Sequence, residues 1–163
     1  MVVDSAVDML SSCEALLPEC DIFIACAAVA DYRPERVAEQ KLKKQSSQTL
    51  QLSLIANPDI LADVARLEKR PFTIGFAAET EQLEAQAENK RKLKGLDLIA
   101  ANQVGGKQGG FESAENALLL LWEGGREWLP MMAKDRLARE LATRIVQRYR
   151  ATRQTDHAQG DRT

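Results

Sequence analysis

The sequence has few of the residues on which nucleophilic and metal catalysis usually depend. Of its 163 residues only one is histidine, at position 157 in a polar tail. This scarcity argues against Ser-His-Asp triads, Cys-His pairs and histidine-rich zinc sites. The three cysteines, Cys13, Cys20 and Cys26, are odd in number and lack CxxC spacing, so neither a disulfide framework nor a zinc knuckle is indicated. We expect any catalysis to rest on lysine, carboxylate, amide and backbone groups.

Long apolar runs and a strong charge of one sign are also absent. No apolar stretch approaches the ~20 residues that span a bilayer, and the opening residues MVVDSAVDML do not resemble a secretory signal. The net charge of −2 gives no support to nucleic-acid binding. With 45% hydrophobic and 28% charged residues, the composition is typical of one soluble domain. We predict a cytoplasmic protein with neither a membrane nor a nucleic-acid partner.

Apolar runs of strand length alternate with stretches of helical spacing. The apolar runs predict strands buried on both faces at residues 21–29, 72–78 and 96–101. Helical spacing and end signals predict four helices: residues 3–17, a helix with Asn57 as N-cap and Pro58 as its first residue, residues 81–94 closed by Gly95, and residues 134–150. A short strand at 50–54 and a hairpin of 117–122 with 127–129 complete the pattern. The alternation predicts an α/β fold with a parallel sheet.

The beginning and the end of the chain depart from a complete doubly wound domain. Such folds normally open with a strand and a glycine-rich turn that cradles phosphate, whereas this sequence opens on a helix and has neither GxGxxG nor GxxxxGK[ST]. We therefore expect the first βαβ portion to be missing. Residues 1–150 would form an N-terminally incomplete domain, and the polar residues 151–163 a disordered tail.

Candidate binding residues follow the predicted strands, because ligands of open α/β sheets bind beyond the carboxyl ends of the strands. The first strand ends in small residues including Ala28, and Asp31 follows them, although an ordinary capped loop is the simpler interpretation of this pattern. Phe76 in the second strand is able to stack on a base, but a core phenylalanine is the simpler interpretation. The glycines at 105–110 lack the ordered spacing of a phosphate-binding fingerprint.

Basic residues and one helix start add possible anion sites. The basic residues form two clusters, which are Lys41, Lys43 and Lys44 in a polar segment and Lys90, Arg91, Lys92 and Lys94 near a helix end. The first cluster could close over an anionic substrate, whereas favourable interaction with the helix dipole is enough to explain the second. The segment from Asn57 to Ile60 offers the free N–H groups of a helix start.

Taken in order, several motifs resemble one known family. AAVADYRP, KLKK, NPDILA, RPFTIGFAAET, KLKGLDLIAAN and NALLLLW, spread over about residues 1–150, are similar to the phosphopantothenate–cysteine ligase of coenzyme A biosynthesis. The resemblance implies a Rossmann-like α/β fold, a homodimer, CTP as the nucleotide and Mg²⁺ as its partner. In bacteria this ligase is commonly the C-terminal half of a protein whose other half is a flavin-dependent decarboxylase.

The resemblance also implies a reaction and a set of site residues. The carboxylate of 4′-phosphopantothenate attacks the α-phosphate of CTP, and the amine of cysteine then displaces CMP from the acyl-cytidylate. The resemblance implies nucleotide contact for Ala28 and Asp31. It implies cytosine contact for Asn57, Pro58, Asp59 and Ile60, with Phe76 lining the same pocket. It also implies that Lys90 and Lys94 bind the phosphates and that Lys41, which matches the lysine of the family's mobile flap, acts on the acyl-cytidylate step.

The family's Asn-Arg-Ser-Ser-Gly-type segment, which helps to bind the acyl intermediate, has no counterpart in this sequence. Two hypotheses therefore stay open. The chain acts as a ligase, alone or complemented by a separate N-terminal piece, or it is a non-catalytic nucleotide-binding or dimerisation fragment. A nicotinamide-dependent oxidoreductase is disfavoured, because the GxGxxG fingerprint and its following acidic residue are absent.

Overall fold

A computed structural model describes residues 1–38, 40–42, 49–105 and 113–160, with side chains described as far as residue 154. The elements in chain order are α1 (Ala6–Leu16), a 3₁₀ turn (Leu17–Glu19), β1 (Ile22–Ala25), β2 (Tyr32–Pro34), β3 (Leu54–Ala56), α2 (Ile60–Ala65), β4 (Phe72–Glu79), α3 (Leu83–Lys94), β5 (Leu98–Gln103), β6 (Glu115–Trp122), β7 (Gly125–Ala133) and α4 (Lys134–Gly160).

The main sheet has five strands in the order β1-β4-β5-β6-β7. β1, β4 and β5 are parallel, whereas β6 and β7 are antiparallel to their neighbours. The predicted α/β fold with parallel strands, flanking helices, a C-terminal hairpin and a final helix is therefore confirmed, and the sheet as a whole is mixed. The tight turn at Gly124, where φ is 75°, reverses the chain and makes the last pair antiparallel.

The core lies on both faces of this sheet. On one face, Ile74 and Leu120 pack with Leu141 and Ile145 of α4. On the other face, Ala77 and Ile99 pack with Ala87 of α3, and residues of α2 border the same cluster. Burial on both faces explains why β4 and β5 are nearly continuous apolar runs.

The first predicted strand differs from the observed one. β1 comprises only Ile22–Ala25 of the predicted 21–29, and it is half-buried rather than buried, with Ile24 47% exposed. Among the described strands β1 lies at the end of the sheet and pairs only with β4, so one backbone edge and part of its apolar surface are uncovered.

The small strands were also predicted incompletely. The strand expected at 50–54 lies at Leu54–Ala56 instead, and it pairs with β2, which the sequence did not predict. Three-residue strands are too short for their apolar period to be recognised, and each of these two exists through pairing with the other.

The helix ends show where local signals succeed and fail. Gly95 ends α3 in the left-handed region with φ 68°, as predicted. At α2 the prediction was wrong: the N-cap is Asp59, not Asn57, and the helix begins at Ile60, after Pro58. The side chain of Asn57 is engaged elsewhere, and Asp59 caps the helix instead.

The final helix is longer than predicted. The sequence placed its end near Arg150 and gave residues 151–163 a disordered tail, but α4 continues to Gly160. The added residues up to that glycine include no proline, which would interrupt the helix. Residues 161–163 lie outside the described part of the chain.

Candidate functional site

Asn57, the residue before Pro58, holds the turn that follows β1 through hydrogen bonds. Asn57 donates its side-chain Nδ2–H to the carbonyl of Ala30 at 2.7 Å and its backbone N–H to the carbonyl of Asp31 at 2.8 Å. Arg33 donates from Nη1 to Asn57 Oδ1 at 3.0 Å and to the carbonyl of Ala56 at 2.8 Å. We call Ala30, Asp31, Arg33 and Asn57 the turn cluster.

Pairing of β2 with β3 brings the members of the turn cluster together. The antiparallel register places Tyr32 opposite Ala56 and Arg33 opposite Ile55. Asn57 directly follows β3, so it lies beside the residues that directly precede β2. A residue 27 positions away in the sequence from Ala30 thereby becomes its hydrogen-bond partner.

Asp59 joins the start of α2 to the end of α3. Its Oδ1 accepts the N–H of Ala62 at 3.1 Å, and Lys94 Nζ lies 2.9 Å from Oδ1 and 2.7 Å from Oδ2. Partial burial raises the pKa of Asp59, but the hydrogen bonds from Lys94 and Ala62 and the nearby cations lower it by more. The pKa of this carboxyl is therefore below its ordinary value of 3.8. The carboxylate is ionised at neutral pH and holds Lys94 in place.

The segment Asn57-Pro58-Asp59 is a bridge between two parts of the molecule. Asn57 contacts the turn after β1, and Asp59 contacts the last turn of α3. Pro58 is half-buried between them and restricts the backbone through its fixed φ. Asp31, Asn57, Asp59 and Lys94 of the predicted site are thus connected through one short segment.

The basic cluster on α3 divides into two kinds of residue. Arg91 is buried and donates to both oxygens of Glu88, at 2.8 and 3.0 Å, and to the carbonyl of Leu96 at 3.2 Å. Lys92 also pairs with Glu88, at 3.3 Å. These two cations therefore share the single carboxylate of Glu88 within the helix. Lys90 is half-buried and forms no ion pair with any residue in the described ranges.

The other predicted residues lie outside these contacts. Ala28 is exposed in the turn after β1, Lys41 is exposed, and Ile60 is buried as the first residue of α2. Phe76 is half-buried and packs on the sheet face covered by α4, whereas α2 and α3 lie on the opposite face. The structure thus does not bring Phe76 to Asp59, and its nucleotide role stays a prediction. Lys43, Lys44 and the glycines at 106, 109 and 110 lie outside the described residues.

A second polar cluster lies at the amino ends of β4 and β5. Asp97 accepts hydrogen bonds from Arg70 Nη1 and Nη2, the latter at 2.9 Å, from Thr73 N at 2.7 Å and from Thr73 Oγ1 at 3.1 Å. The Asp97 carboxylate raises the pKa of Arg70 above its ordinary value. We call Arg70, Thr73 and Asp97 the amino-end cluster. Its polar groups satisfy one another, which is typical of a structural ion pair.

Comparison with known proteins identifies the family in which this arrangement of residues occurs. The family model of the DNA/pantothenate metabolism flavoprotein C-terminal domain matches residues 1–149. The chain belongs to this family. The turn cluster, the Asn57–Asp59 bridge and Lys94 all lie within the matched region.

Individual relatives agree with the family match. The chain is 51% identical over 138 residues to the coenzyme A biosynthesis bifunctional protein CoaBC of Vibrio cholerae, covering 83% of this chain and 35% of the relative. It is 46% identical over 150 residues to CoaBC of Escherichia coli, covering 90% and 37%. A crystal structure of the C-terminal domain of CoaBC superposes with a TM-score of 0.69 at 30% identity, covering 88% of this chain and 62% of that one.

These relatives confirm the resemblance found in the motifs, namely to the C-terminal domain of a bifunctional coenzyme A biosynthesis protein. The chain spans about a third of the length of the curated relatives it matches. The activity, substrates and partners of the whole relatives are therefore matters for a proposal.

The described residues of the family domain form no evident site for the Mg²⁺ that the resemblance implies. No group of three or more His, Cys, Asp or Glu side chains suited to a metal ion occurs among those residues. None of the described helices is long and apolar enough to cross a membrane.

Sequence reasoning gave no role to Arg33, although it stands within the ADYRP motif. An arginine beside a proline in a three-residue strand has no local sequence signal that indicates its partner. Only the hydrogen bonds to Ala56 and Asn57 show what Arg33 does. An arginine within a motif of small and acidic residues was the one available clue.

Proposed function

We propose that this chain supplies the CTP-binding part of a ligase that joins 4′-phosphopantothenate to cysteine. The observation that carries the proposal is the family match over residues 1–149, which includes the ordered motifs on which the resemblance depends. Mg²⁺, a homodimer, a cytoplasmic location and, in the longer relatives, a flavin-dependent decarboxylase half belong to the same proposal.

The reaction has two steps that balance without a protein nucleophile. A carboxylate oxygen of 4′-phosphopantothenate attacks the α-phosphorus of CTP, and pyrophosphate leaves. The amine of cysteine then attacks the acyl carbon, loses one proton and displaces CMP as the amide forms. Such chemistry requires positioning and cationic charge, which suits a chain with one histidine.

Lysines supply that charge in the proposal. Lys90 and Lys94 bind the phosphates, and Lys94 exchanges its contact with Asp59 for a phosphate oxygen. The ion pair supports this role, because the Asp59 carboxylate, 2.7 Å from Lys94 Nζ, orients the lysine before the nucleotide arrives. Lys41 acts on the acyl-cytidylate step, and its exposure leaves it accessible to a bound intermediate. No residue is assigned to Mg²⁺, and no step depends on it.

The decisive experiment separates nucleotide binding from amide formation. The chain is incubated with CTP, 4′-phosphopantothenate, cysteine and Mg²⁺, and the release of pyrophosphate and CMP is measured. In a complete ligase, Lys41→Ala should leave the Kd for CTP unchanged and abolish amide formation. The matched control is Lys69→Ala, an exposed lysine just before β4, which should change neither quantity. Unchanged amide formation by the Lys41 variant would contradict the role given to this lysine.

A second candidate is a non-catalytic nucleotide-binding or dimerisation fragment, because the sequence has no counterpart of the family's Asn-Arg-Ser-Ser-Gly-type segment. Under this alternative, CTP binds but CMP is not released from the chain alone. CMP release at a rate comparable with that of a longer relative would exclude the fragment hypothesis.

A further inference from the structure

We propose that Arg33 is a positioning residue for nucleotide binding, acting through the side-chain amide of Asn57 on the turn that carries Asp31. The inference rests on the proposed function, because Asp31 is a nucleotide contact only in that proposal. It adds a residue to which neither the family match nor the sequence motifs gave a role.

The first step concerns the orientation of the Asn57 amide. An asparagine side chain has a donor end and an acceptor end, whereas a guanidinium group only donates. Because Arg33 Nη1 lies 3.0 Å from Oδ1, it fixes the acceptor end toward β2. The donor end is then directed to the carbonyl of Ala30, at 2.7 Å. Arg33 thereby selects the amide orientation that holds the turn.

The second step concerns what that amide holds. Asn57 contacts two successive carbonyls, those of Ala30 and Asp31, through its side chain and its backbone. Asp31 is itself exposed, so apolar burial does not fix its position. The position of its carboxylate therefore depends on the hydrogen bonds to the turn backbone.

The third step excludes lysine as an equivalent residue. A single guanidinium nitrogen of Arg33 serves both the amide of Asn57 and the carbonyl of Ala56 at 2.8 Å. An ammonium group on a flexible stem has the charge but not the rigid planar geometry. Arg33→Lys should therefore weaken the positioning less than Arg33→Ala does, without restoring the wild-type level.

The experiment measures the turn and the nucleotide separately. The first readout is hydrogen exchange at the Asn57 backbone amide, which donates to Asp31. The second is the Kd for CTP by calorimetry. In Arg33→Ala the amide should lose protection and the Kd should rise about ten- to hundredfold, the range for a lost hydrogen bond to a charged group. Arg36→Ala, an exposed arginine nearby, is the matched control and should change neither readout.

Chemical rescue separates positioning from a general loss of structure. Guanidinium ion at low, non-denaturing concentration should lower the Kd of Arg33→Ala toward the wild-type value and leave Arg36→Ala unchanged. Asn57→Asp keeps an acceptor for Arg33 but loses the donor to Ala30, so its binding should be weak and should not be rescued. Circular dichroism of each variant checks that the five-stranded sheet is intact.

The outcomes distinguish this inference from the proposed function. Wild-type exchange at Asn57 in Arg33→Ala, or an unchanged Kd, would overturn the positioning role and leave the ligase proposal standing. A wild-type chain that does not bind CTP would overturn the proposed function and, with it, the nucleotide role of Arg33. Loss of protection with weaker, guanidinium-rescued binding would support both.

Discussion

The amino-end cluster and the turn cluster contain similar hydrogen bonds, but the strands that carry them differ in burial. In each, an arginine donates to an acidic or amide side chain that also contacts backbone groups. Asp97 receives four hydrogen bonds, and its side chain is only 17% exposed. Asn57 is held by fewer bonds, and the turn residues that it contacts are exposed.

The difference lies in what is packed beneath each cluster. The amino-end cluster is attached to β4 and β5, whose side chains are largely buried on both faces. β2 and β3 contain no buried residue. Segments with little burial open locally at low free-energy cost. We infer that the first cluster contributes to the stability of the domain, whereas the second sets the position of a turn that can adjust to a ligand.

The largest effect should come from the hydrophobic core of the main sheet, to which β4, β5 and β6 contribute. Leu120 is fully buried in β6, and Leu120→Ala should lower the free energy of unfolding by about 2–5 kcal/mol through lost burial and a cavity. Leu93→Ala, at a leucine 78% exposed on α3, is the matched control and should change it by about 0.5 kcal/mol or less. Urea denaturation measures both. Equal losses of unfolding free energy in the two variants would contradict the placement of Leu120 in the hydrophobic core of the sheet.

An intermediate effect should separate the amino-end cluster from ordinary surface pairs. Asp97→Asn leaves a neutral amide facing Arg70 and should cost about 1.5–3 kcal/mol of unfolding free energy. Asp63→Asn removes an exposed pair with Arg66 at 3.4 Å and should cost under about 1 kcal/mol. The same denaturation experiment compares them. A loss at Asp97 no greater than that at Asp63 would remove the contrast between the clusters.

The smallest effect should appear as a pH dependence next to the turn cluster. The pKa of Asp59 is lowered in the folded chain. Its contribution to stability is therefore present above pH 3.8, the ordinary pKa, and is lost as the pH falls through the lowered pKa of the folded chain. Asp59→Asn keeps a good N-cap residue but loses the charge opposite Lys94. The wild type should exceed this variant by under about 1 kcal/mol at pH 7, since water screens a half-exposed pair.

Unfolding curves of both proteins between pH 7 and about pH 3 test this expectation. The difference in unfolding free energy between the wild type and Asp59→Asn, the gap, should decrease as the pH falls. A gap that stays constant over this range would show that the Asp59–Lys94 pair has no ionic contribution.

Sequence patterns were most informative where the chemistry is local or the burial is complete. β4 and β5 were found from their apolar runs, and Gly95 was found as a helix end, because each depends on neighbouring residues. The prediction failed at Asn57, where an N-cap signal competed with a tertiary contact that the sequence does not display. It failed at β1 for a related reason, since its apolar run does not reveal how many strands lie beside it.

The sequence by itself determined the fold class, the family and the types of residue available for chemistry, because buried periodicity and ordered motifs are written along the chain. Only the tertiary structure decided which of those residues contact one another. Asn57 contacts Ala30, 27 positions away, and Lys94 contacts Asp59, 35 positions away. Hydrogen bonds act over about 3 Å and depend on direction, so their partners are fixed only when distant segments are brought together. The role of Arg33 is of this second kind.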